Sequence, residues 1–104
     1  MKLCLLSTTV AKGDDARRMA QAAVEHRLAA CVHIEAIDAV YRWQGAIRHD
    51  DEQRLTFKTT EAAVPALKEL LLGMHPYEVP ALYVVPVSEA THAYHEWVMG
   101  EVAG

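Results

Sequence analysis

Cysteine is scarce in this sequence. Only Cys4 and Cys31 occur, with no C-x-x-C pair, which excludes a thioredoxin-type redox motif and a zinc knuckle and points to reduced thiols. Basic clusters are missing too. No run of Lys or Arg exceeds Arg17-Arg18, and the formal net charge is −4, so neither nucleic acid nor an anionic membrane is an expected partner. The opening MKLCLLSTT is apolar over only a few residues. It contains no small-residue cleavage site and no span of about 20 apolar residues, so a soluble, cytoplasmic protein is the expectation. The five glycines are scattered and build no phosphate-cradling loop. Ser7 and Ser88 lie in no G-x-S-x-G context.

Apolar residues, by contrast, are plentiful at 52% of 104. Disorder is therefore not expected, and the length suits one domain over residues 1–104. LCLLSTT, 3–9, reads as a buried strand. Asp14 and Asp15 suit the start of a helix, and Ala16, Met19, Ala20, Ala23, Val24 and Leu28 follow at helical spacing. CVHIEAIDAVYRW, 31–43, alternates as a strand. Its apolar parity changes between Val32/Ile34 and Ile37/Ala39/Tyr41/Trp43, which predicts a bulge near 35–37. QGAIRHDDEQ reads as a polar, turn-rich connection, with LTFKTT, 55–60, as the third strand of a long hairpin. A second helix begins near Glu61–Pro65, carries Leu67, Leu70 and Leu71 inward, and is expected to stop at Gly73. ALYVVPV, 81–87, is a fourth strand, and Thr91 is placed to cap a last helix bearing Tyr94, Trp97 and Val98.

The order β-α-β-β-α-β plus a terminal helix predicts an α+β, ferredoxin-like split β-α-β fold with an antiparallel sheet. Two helices cover one face of such a sheet. The other face, carrying aromatic and β-branched residues, must meet something else.

GMHPYEVPAL, 73–82, holds the most concentrated chemistry. Pro76 and Pro80 bias His75 and Val79 to extended backbone, so His75, Tyr77 and Glu78 sit on a stiff loop. The loop is at once a rigid connector and a candidate site. Cys31, at the head of strand two, is expected to share a sheet edge with His75, and a thiolate with an imidazole suits copper or zinc. Lys58 is expected to pair with Glu78 or to hold an anion. His33 lies two residues beyond Cys31 on the same strand face. His92 and Glu96, four apart on a helix, face one way.

Taken together, LAACVH (28–33), YRWQG (41–45), FKTTE (57–61), MHPYEVPAL (74–82) and YHEW (94–97) resemble the CutA family of divalent cation tolerance proteins. The resemblance implies a ferredoxin-like subunit in a tight homotrimer, similar in architecture to PII signalling proteins. It implies a part in divalent-metal tolerance, with copper binding, and no enzyme reaction. Carried over residue by residue, it marks Lys58, Thr59, His75, Tyr77, Glu78, Cys31 and Trp43 as lining clefts between subunits; the metal donors expected above, His75 and Cys31, are among them. Thr8 and Met74 stand where some members carry a cysteine and a histidine, which leaves His75 of that set. A PII-like module that binds a small anion through Lys58, Thr59 and His75 remains the alternative, with acid–base catalysis by His75 and Glu78 behind it.

Overall fold

A computed structural model describes residues 2–103. Four strands, β1 (Leu3–Ala11), β2 (Cys31–Trp43), β3 (Ala46–Thr60) and β4 (Leu82–Pro86), form one antiparallel sheet in the order β2-β3-β1-β4. The helices are α1 (Asp14–Glu25), α2 (Val64–Met74) and α3 (His92–Glu101). This is the split β-α-β order expected from the sequence.

Strand pleating sorts the residues. Leu6 and Val10 of β1 and Leu55 and Phe57 of β3 point to one face and are fully buried. There they meet Met19 and Ala23 of α1 and Leu67 and Leu71 of α2. A smaller cluster joins Leu3 and Ala63 to Val98 and Val102, so α3 lies over one end of the opposite face. The rest of that second face is uncovered, with Tyr83 55% and Val85 44% exposed.

The hairpin differs from the sequence reading in two ways. Pairing runs without interruption from Cys31↔Lys58 to Trp43↔Ala46, so no bulge exists near 35–37. The connection is only Gln44-Gly45, both at positive φ (51 and 80), the geometry of a tight primed turn; residues 46–53, expected to be loop, are strand. The change of apolar parity has another cause. The hairpin outruns the helix layer, so Val40 and Ile47, on the helix-side face, are 65% and 62% exposed. Past that point the apolar residues move to the other face, with Ile37, Ala39, Tyr41 and Trp43 in register.

Helix α2 runs through Gly73 and stops at His75, whose backbone is already extended (φ −72, ψ 131). Pro76 enforces that conformation, so proline rather than glycine ends the helix. Thr91 holds the cap position of α3, but its hydroxyl makes no capping bond.

Candidate functional site

The 75–80 loop is held by its own histidine. The Tyr77 backbone N–H donates to His75 Nδ1 at 3.2 Å. That nitrogen therefore carries no proton, and Nε2–H donates to the Thr9 carbonyl at 2.9 Å. A neutral imidazole satisfies both bonds and ties the loop to the end of β1. The Tyr77 ring packs 5.0 Å from the imidazole, and its hydroxyl donates to Glu52 Oε2 at 2.5 Å. Burial first, and then the Glu52 carboxylate, push the Tyr77 phenol far above its ordinary range. Tyr41 donates to Asp50 in the same way, and this bond raises its pKa. In sequence Asp50 and Glu52 belong to an acidic cluster in a polar, turn-rich stretch, and nothing local pairs them with tyrosines; the structure gives each a tyrosine hydroxyl. The Gln44-Gly45 dipeptide was the signal that β3 begins earlier.

The candidate residues do not converge. β1 and β2 run parallel, as do β3 and β4, so β2 is entered at the level of Leu5 of β1 and β4 at the level of Thr8, further along the sheet. Cys31 pairs with Lys58, while Thr9, which receives His75, pairs with Arg54. Four strand positions, roughly 13 Å, separate the two levels. The expectation that Cys31 and His75 share an edge is corrected. Glu78 is exposed beside His75, far from Lys58, and the expected Lys58–Glu78 pair is absent among the described residues. Thr59 is fully buried and donates to the Leu28 carbonyl at 2.7 Å. Trp43 sits at the hairpin tip, 36% exposed. On α3 it is His95, 3.9 Å away, that approaches Glu96.

A different group gathers on the uncovered face, beside α3. Lys58 Nζ donates to His33 Nδ1 at 2.7 Å. His33 and Cys31 are alternate residues of β2 and point the same way. Tyr94 of α3 completes the cluster. Its phenol pKa is raised by burial and then by the nearby Cys31. Next along the face, Arg54 donates to Glu35 at 3.3 Å. Both cysteines are free thiols; Cys4 is buried, and desolvation raises its pKa. Among the described residues, no three His, Cys, Asp or Glu side chains come together to hold a metal ion, so one chain's donors do not fit a closed metal cage.

An α+β chain with one four-stranded antiparallel sheet and three helices defines a class with many solved members. The Synechococcus elongatus CutA structure superposes with a TM-score of 0.94 at 43% identity, covering 98% of this chain and 91% of that one. The Thermus thermophilus divalent cation tolerance protein structure gives 0.92 at 39%, covering 97% and 99%. By sequence, the Thermus thermophilus divalent-cation tolerance protein CutA is 44% identical over 86% of this chain and 88% of its own length. Human protein CutA is 42% identical over 80% of this chain but only 47% of its own length. The family model described as CutA1 divalent ion tolerance protein matches residues 4–101. The chain belongs to this CutA1 family. The Thermus thermophilus relative is named for divalent-cation tolerance rather than for a reaction, and the Arabidopsis relative is called chloroplastic. Among the described residues, no helix is long and apolar enough to cross a membrane.

Proposed function

We propose that this chain acts in divalent-cation tolerance as a non-enzymatic homotrimer of the cytoplasm that binds a metal such as copper or zinc. The observation that carries this reading is the uncovered sheet face. Tyr83 and Val85 on β4 and Trp43 at the hairpin tip are exposed on that face, more apolar surface than a lone chain of this size is expected to leave in water. A second and third copy supply the missing cover. The free thiols of Cys4 and Cys31 accord with a reducing compartment. Since one chain separates Cys31 from His75, a metal held by both takes them from different subunits. In that role a metal takes His75 Nδ1 by displacing the 3.2 Å bond from the Tyr77 N–H, while Nε2–H stays on the Thr9 carbonyl and fixes the ring. Tyr77, Glu78 and Trp43 line the same intersubunit region in this reading.

Equilibrium sedimentation at micromolar protein tests the assembly. The expected mass is about three times the 11.5 kDa of one chain, and a stable monomer overturns both trimer and cleft. Calorimetry with Cu²⁺ and Zn²⁺ against small anions then tests the ligand. One observation favours the anion reading, in which the trimer is a PII-like module: Lys58 has a neutral imidazole for its partner, not a carboxylate. Heat from the anions alone would choose that reading. Thr59, with its hydroxyl committed to a backbone carbonyl, would then act by placing Lys58.

A further inference from the structure

The sheet separates Cys31 from His75 and puts another imidazole beside the thiol. Cys31 and His33 are alternate residues on one face of an edge strand, about 6.6 Å apart along it. That is close enough for both side chains to reach one ion. Lys58 stands opposite Cys31 and reaches diagonally to His33 Nδ1 at 2.7 Å. An ammonium group thus already sits at the lone pair that a metal would take. Tyr94 closes the side toward α3, where the cluster lies at the border of the covered part of the face.

We infer that Cys31 and His33 form a two-donor chelate for a thiophilic d10 cation of the zinc and cadmium class, in competition with the Lys58 ammonium. Binding replaces one cation by another. The Cys31 thiol gives its proton to solvent and the thiolate ligates. His33 Nδ1 turns from the Lys58 N–H to the metal, and Lys58 swings into water still charged. Water or a partner copy fills the remaining positions. This choice of ligand class rests on the cation-tolerance reading, but the donor pair does not. The pair lies within one strand and needs neither a trimer nor His75.

Cadmium titration of the full chain, with reductant present, reads the thiolate directly through its ultraviolet charge-transfer band. The band should appear with the wild type and vanish in Cys31→Ala. His33→Asn should keep a band but weaken affinity about tenfold or more. Lys58→Met should strengthen binding several-fold, because the competing charge is gone; a merely structural Lys58 would not do this. His75→Ala should leave the band and the affinity unchanged. As a check without substitution, Zn²⁺ should slow alkylation of Cys31 in the wild type, read by mass spectrometry. A wild type with no band, or a band surviving in Cys31→Ala, overturns the assignment. Sensitivity to His75→Ala with indifference to His33→Asn also overturns it and restores the Cys31–His75 pairing across subunits. If binding follows Cys31 and His33 while sedimentation shows a monomer, the chelate stands and the trimer falls.

Discussion

At the scale of single residues, the loop is decided by hydrogen bonds to two side chains. His75 uses both ring nitrogens for structure, and Tyr77 reaches a carboxylate that is itself almost buried. Tyr77→Phe should cost about 1.5–3 kcal/mol in urea unfolding, because the lost bond is to a charged acceptor that water then reaches poorly. Tyr77 also sets an alkaline limit. Its folded pKa lies above that of the unfolded phenol, near 10. Below that value both states carry the proton and the stabilisation is fully present. Above it the unfolded chain loses the proton first, so stability falls as pH rises toward the folded pKa. Thermal scans above about pH 10 should therefore show a steeper loss for the wild type than for Tyr77→Phe. Parallel curves would remove Tyr77 as the cause.

At the scale of elements, the two-residue turn governs the longest feature of the molecule. Gln44 at φ 51 and Gly45 at φ 80 give the backbone twist that lets the thirteen residues of β2 pair with thirteen of β3 in one register. Gly45→Ala should destabilise by about 1–2 kcal/mol, since a Cβ is disfavoured at positive φ. The space around Gly45 is open, so a clash would not explain the loss. Gln44→Asn should do the reverse by a few tenths of a kcal/mol, because Asn tolerates that conformation better. Circular dichroism during urea titration ranks the three proteins, and an unchanged Gly45→Ala midpoint would show that the turn does not set the register. Local sequence made this turn readable only in part. Its dipeptide is a good signal, but the charged run Arg48-His49-Asp50-Asp51-Glu52 imitates a loop. Arg48 to Asp51 stay strand because both faces of the hairpin are open beyond the helices and polar side chains there lose no hydration, while Glu52, at the buried end of the run, is compensated by the Tyr77 hydroxyl.

At the scale of the whole molecule, the principal extents of 45 × 25 × 20 Å describe a small core with a long arm. Trp43 at the tip of that arm makes a sharp test of assembly. Trp43→Ala should leave each subunit folded, yet weaken the proposed trimer by about 2 kcal/mol or more per contact, as a buried aromatic anchor does. Sedimentation across a dilution series reads the shift. Full trimer retention at nanomolar protein would place Trp43 outside the interface. Both thiols should react with a thiol reagent after denaturation without reductant, because Cys4 and Cys31 are unpaired.

The sequence by itself determined the order of elements, the helix-side core and the stiffness of the 75–80 loop. Each depends on local periodicity or on proline geometry, which neighbouring residues carry among themselves. It also carried the family, through motifs spread from Leu28 to Trp97. Tertiary structure alone decided which chemical groups meet. Strand direction put Cys31 and His75 four strand positions apart. Register joined Lys58 to His33 and gave Tyr77 its Glu52. Such pairings depend on how distant strands align, and a one-residue slip leaves composition and spacing untouched while turning every side chain to the other face.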